Sequence, residues 1–81
     1  MPEILRLFGL IFSIYTRDHQ PPHVHVRNAD GEAKFIVGTT IELEKNCGMK
    51  NKDIRLAEAI LEENKDLVIS NWVKIHGRID D

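Results

Sequence analysis

Two hydrophobic rhythms divide this chain. Up to about residue 45 the apolar residues alternate with polar ones or run together in short bursts; from about Asn51 they recur every three or four positions. The first is the period of strands and the second that of helices. Ile4 to Leu7 and Leu10 to Thr16 are rich in branched and aromatic residues, with Gly9 between them as a turn, and both faces of this segment are apolar. His23 to Arg27 and Glu32 to Val37 flank Asn28-Ala29-Asp30-Gly31, and Asp-Gly is a strong hairpin signal. A further strand is expected at Thr40 to Glu44, where Ile41 and Leu43 alternate with Glu42 and Glu44, before Gly48 ends the β region.

The second hairpin can be registered on paper. A two-residue loop places Val26 opposite Phe35; a four-residue loop places Val26 opposite Ala33 and Val24 opposite Phe35. Both loops have the same parity. Either way Val24, Val26 and Phe35 share one face, and His23, His25 and Arg27 share the other with Glu32, Lys34 and Ile36. The longer loop pairs Arg27 with Glu32, whereas the shorter sets Arg27 against Lys34. Cross-strand charge pairs are worth about 0.2–1 kcal/mol, which favours the longer loop.

In the helical half, Ile54, Ala57, Leu61, Val68, Trp72 and Ile75 form one stripe. Asn51 is the expected N-cap, with Asp53 in the first turn. Asn64 falls on the stripe, where an amide is out of place, and reads as a break between two helices; one kinked helix is the alternative. Gly77 stops the pattern. The expected fold is α+β in a single domain, 1–81: an N-terminal antiparallel sheet of three to four strands (about 3–45) packed on one or two C-terminal helices (about 51–76). Val24, Val26 and Phe35 should meet Ile54, Leu61, Val68 and Trp72.

Composition sets limits on function. A chain of 81 residues is just large enough for one core without staples. Cys47 is the only cysteine, so no internal disulfide can help, and a lone thiol fits a reducing cytosol. The net charge of −2 argues against a strongly basic nucleic-acid binder but leaves room for a local basic patch. There is no apolar run of membrane-spanning length, and the N-terminal segment lacks a basic leader and a small-residue cleavage site. A cytoplasmic location is expected.

The chemistry concentrates in Asp18-His19-Gln20-Pro21-Pro22-His23-Val24-His25-Val26, which holds three of the four histidines. Pro-Pro is stiff and extended, and it feeds directly into a strand on which His23 and His25 face the same way. Four readings follow. The first is a divalent metal site, zinc for example, with His19, His23 and His25 as ligands; only two of the three are convincing, and a catalytic site needs three plus an open position. The second is phosphate chemistry of the histidine triad kind, which is incomplete because Arg27 stands where a third histidine would. The third is metal-independent RNA cleavage using His23, His25, Arg27 and Lys34, with imidazoles as acid and base and cations for the phosphorane charge. Glu32 on the same face and the slightly acidic chain count against it, as does a lack of exposed aromatics for base stacking, Tyr15 excepted. The fourth is a protein-interaction module, binding a protein partner or itself through the open sheet face or the Glu42 and Glu44 strand edge. Of the rest, Trp72 reads as a core anchor, Cys47 as a small turn residue and His76 as a helix-end residue suited to the macrodipole.

Pro21-Pro22-His23-Val24-His25-Val26, then Asp30-Gly31-Glu32-Ala33-Lys34-Phe35, then Glu62-Glu63-Asn64-Lys65 and Asn71-Trp72 resemble the small bacterial "domain of unknown function 4160" family. The resemblance spans roughly Met1 to Gly77, although members often carry a more polar opening turn than Leu7-Phe8-Gly9. It implies strands first and helices last, a bacterial cytosolic protein, and a gene often beside another small domain of unknown function. Some members are labelled toxin–antitoxin-like on that ground alone, which is association and not mechanism. The resemblance supplies no catalytic residues, only the motif His19, Pro21, Pro22, His23 and His25. The expectation is therefore an interaction module, one half of a toxin–antitoxin-like pair, with RNA cleavage and metal binding as alternatives.

Overall fold

The computed structural model describes residues 3–15 and 21–77. Five strands form one antiparallel sheet: β1 (Glu3–Leu7), β2 (Leu10–Ser13), β3 (His23–Arg27), β4 (Glu32–Val37) and β5 (Ile41–Cys47). Each pairs with its neighbours in sequence, in the order β1-β2-β3-β4-β5. Helices α1 (Asn51–Glu63) and α2 (Lys65–His76) follow. The α+β class is as expected, but the sheet has five strands and not three to four. The opening hairpin is not set apart: its second strand pairs with β3 through Phe12–Val26 and Ser13–His25, and this extends the sheet by two strands.

Registers explain which side chains meet. The β3–β4 pairs are Arg27–Glu32, Val26–Ala33, His25–Lys34 and Val24–Phe35, the arrangement of the four-residue loop. The loop closes where the Asn28 amide donates to the Gly31 carbonyl at 3.0 Å, while Asn28 Oδ1 accepts from the Asp30 and Gly31 amides at 2.9 and 3.1 Å. Gly31 is needed for closeness: a Cβ there would stand 2.0 Å from the Cys47 carbonyl oxygen. The Asp-Gly signal thus marks where the hairpin tip leans on the end of β5.

One face of the sheet is dry. Phe12, Val24, Val26, Ala33, Phe35 and Val37 are buried with Ala57, Leu61, Val68 and Trp72 from the helices. Fully burying side chains of this size stabilises by roughly 1.5–3 kcal/mol each, before chain entropy is counted against it. Helix α1 lies against β5 and α2 against β4. The cap of α1 is Lys50, one residue before the expected Asn51, and its carbonyl accepts from the Asp53 and Ile54 amides at 3.0 Å each. Asp53 is engaged elsewhere, accepting from Asn28 Nδ2 at 3.3 Å, which ties the hairpin turn to the first turn of α1.

The chain breaks at Asn64. Its amide donates to Leu61 O at 3.2 Å, its side chain to Ile60 O at 2.8 Å, and its own carbonyl accepts from Val68 N at 3.1 Å. These bonds satisfy an amide that would otherwise cost stability on an apolar stripe. Lys65, opening α2, donates to Thr39 O at 2.7 Å and so anchors the new helix to the β4–β5 turn. Gly77 ends α2 with φ 91°, a left-handed value that suits glycine. Among the described residues no helix is long and apolar enough to cross a membrane.

Candidate functional site

The Pro-Pro segment delivers β3 already extended. The Pro22 carbonyl accepts from the Val37 amide at 2.9 Å, prolonging the β3–β4 ladder by a residue whose missing N–H is not required there. The two histidines that follow then take different positions. His23 is only 6% exposed. Its Nδ1 lies 2.9 Å from the Pro21 carbonyl; because a carbonyl can only accept, the ring proton sits on Nδ1. The ring also leans on Trp72, centroid to centroid 5.3 Å, and meets His25 edge-on at 5.3 Å. Residue parity does place His23 on the face opposite Val24, but it stands at the end of β3, where Trp72 of α2 reaches it.

His25 belongs to the open face. Its ring stacks on Tyr15, with centroids 4.0 Å apart and planes at 15°. Its Nδ1 is 3.5 Å from Glu32 Oε2, and the Tyr15 hydroxyl donates to that same oxygen at 3.1 Å. Glu32 lies diagonally across from His25, whose direct partner is Lys34. One carboxylate oxygen therefore accepts from the phenol and lies within ion-pair distance of the imidazole. The Glu32 side chain keeps 46% of its surface exposed, whereas that of His25 keeps 15%.

A cleft of about 330 Å³ opens here, lined by His25, Glu32, Ala33, Lys34, Lys45 and Cys47. Cys47 is an exposed strand residue opposite Glu32, not the turn residue expected. Lys34 pairs with Glu44 at 3.3 Å. Arg27 is the direct partner of Glu32. Glu3 and Arg6 on β1 form a two-pronged ion pair at 2.8 and 2.9 Å. The hydrogen bond from Arg6 holds the Glu3 carboxyl below the ordinary carboxylate value, with the charges of Arg6 and Arg27 adding to the effect.

The expected site residues are thus sorted. His25, Arg27 and Lys34 share the open face with Glu32, while His23 is packed under Trp72. His19 lies outside the described residues. Among the described residues no group of three or more His, Cys, Asp or Glu side chains stands close enough to hold a metal ion. Three contributors went unrecognised in the sequence: Glu32, counted there as an objection, Tyr15 as its hydroxyl partner, and Lys45. Glu32 could have been found, since the longer-loop register already sets it diagonal to His25.

At the far end of the same array of rings, Trp72 stacks on His76 with centroids 4.0 Å apart. Trp72 Nε1 and both ring nitrogens of His76 are buried without a hydrogen-bond partner among the described residues.

A family model described as "Domain of unknown function (DUF4160)" matches residues 9–73, most of the chain. No curated protein and no solved structure matches it.

Proposed function

The chain belongs to the DUF4160 family, and we propose that it is a metal-independent RNA-cleaving enzyme built on Glu32, His25 and Tyr15. The observation that carries this reading is the single Glu32 oxygen that accepts from the Tyr15 hydroxyl and lies 3.5 Å from the His25 imidazole, in a cleft bordered by cations. A half-exposed carboxylate anchored on one oxygen by the phenol and flanked by the imidazole has its orientation set before substrate arrives. Glu32 takes the proton of a ribose 2′-hydroxyl, and the freed oxygen attacks the adjacent phosphorus. Arg27, across from Glu32, offsets the charge on the phosphorane. The bond from phosphorus to the 5′ oxygen breaks, and that oxygen takes a proton from the Lys34 ammonium, which lies across from His25. The products are a 2′,3′-cyclic phosphate and a 5′-hydroxyl end. His25 steadies the carboxylate and the proton it receives.

The test is cleavage of single-stranded RNA by purified protein in the presence of a chelator. Cyclic-phosphate ends are expected, and Glu32→Gln should lower the rate by about 10²–10⁴-fold, the range for a lost general base. Undiminished cleavage by that variant, or dependence on added metal, overturns the reading.

The second reading is a bacterial cytosolic interaction module, one partner of a toxin–antitoxin-like pair. It is favoured by the hairpin tip, where Phe8 is 72% exposed, and by β1 and β5, each of which leaves one edge of the sheet unpaired among the described residues. Co-expression with the neighbouring reading frame should then yield a stable complex that covers the tip. Recovery of a free monomer counts against it.

A further inference from the structure

Strand β5 carries a one-residue irregularity, and its position matters. The pairs run Val37–Ile41, Ile36–Glu42 and Phe35–Leu43, then step to Lys34–Lys45, Ala33–Asn46 and Glu32–Cys47. Glu44 is the residue left over. An unbroken ladder would have set Glu44 opposite Lys34, an attractive pair, and would have turned Lys45 to the face shared by Ala33. The bulge instead places Lys45 directly opposite Lys34 on the open face. Like charges facing each other across strands are destabilising, and bulges recur where a side chain must be re-aimed beside a site.

The two lysines are not equivalent. Glu44 still reaches Lys34 at 3.3 Å, whereas Lys45 has no ion-pair partner among the described residues, although it lines the cleft. His25, Lys34 and Lys45 stand in one row across three adjacent strands. Strand spacing puts Lys45 about 10 Å along that row from His25. Lys45 therefore stands one strand beyond Lys34, on the side of Glu32 away from His25.

We propose that the bulge at Glu44 builds a phosphate subsite in which Lys45 binds a second backbone phosphate of a single-stranded RNA, next to the one that is cleaved. The identity of the ligand rests on the catalytic reading above; the unpaired cation in the cleft does not.

The probe is a fluorescent 2′-O-methyl RNA oligonucleotide, which lacks the attacking hydroxyl and cannot be cleaved. Its affinity is measured by anisotropy over a range of salt concentrations. Each phosphate contact on a single strand contributes a slope of about 0.7 in log K against log salt. Lys45→Gln should weaken binding and reduce the slope by about 0.7. Lys52→Gln, on the exposed side of α1, should leave both unchanged.

An unchanged slope in Lys45→Gln overturns the subsite, as does an equal loss in Lys45→Gln and Lys52→Gln, or failure of the wild-type protein to bind. The two proposals separate cleanly. Normal cleavage by Glu32→Gln removes the catalytic reading and leaves the slope to decide the subsite. Lost cleavage with an unaltered Lys45→Gln slope does the reverse.

Discussion

Replacing His76 with phenylalanine should make this protein more stable. Both ring nitrogens of His76 are buried with no partner among the described residues. A buried donor or acceptor left unmade costs about 1–3 kcal/mol, and a neutral imidazole presents one of each. Phenylalanine has neither, yet it keeps a flat ring on Trp72, where the present stack has a centroid distance of 4.0 Å. Such ring pairs add about 0.5–1.5 kcal/mol beyond their area, and that contribution is retained. The opposing effect is size. An extra ring atom in a packed site costs about 1–3 kcal/mol, but His76 is only partly buried, so the low end applies. Two unmade partners less about 1 kcal/mol for size leave a net expected gain of about 1–5 kcal/mol. For a domain this small, each kcal/mol raises the melting midpoint by about 4–8 °C.

The assay is urea unfolding followed by far-UV circular dichroism, because Trp72 emission itself changes when the stacked imidazole is removed. His76→Gln is the control: it keeps polar atoms, loses the ring, and should be less stable than the wild type. A His76→Phe midpoint at or below that of the wild type, with an unchanged m-value, refutes the argument.

Two further outcomes follow from the backbone. Gly31→Ala should lose about 3 kcal/mol or more, since its Cβ would meet the Cys47 carbonyl at 2.0 Å and the Gly48 backbone at 2.9 Å, atoms that cannot swing aside; wild-type stability in the same urea assay counts against that close approach. Phe8→Asn should gain up to about 1 kcal/mol, because Phe8 holds φ 53° while its ring is 72% exposed, and asparagine tolerates the left-handed region far better; a lower midpoint contradicts it.

Much of the sheet was legible from alternation alone. Val24 and Val26 are bounded by His23, His25 and Arg27, so one parity buries aliphatics and the other buries charge, and the choice between them is large. Register followed from the single Arg27–Glu32 pair. The helix break followed from one amide on an apolar stripe. What alternation could not show was lateral position. Nothing in the helical period says that Trp72 would lie over the end of β3 and cover His23. The bulge was equally hidden: Ile41-Glu42-Leu43-Glu44 alternates without a fault, and the slip shows only when Lys45, Asn46 and Cys47 are matched to β4. Glu32 was read only as a charge; its place as acceptor for the Tyr15 hydroxyl, diagonal to His25, depends on where Tyr15 lies beyond the end of β2, which alternation does not give.

The order of the strands has a consequence for how the chain comes together. Every pairing in the sheet joins segments adjacent along the backbone, so each new strand finds its partner already beside it. Short closures of this kind favour rapid assembly over slow searching. A ribosome releasing this polypeptide would therefore let the meander zip up in sequence, and the helices that emerge after it, carrying Leu61, Val68 and Trp72, would dock as a lid on a surface built before they arrived.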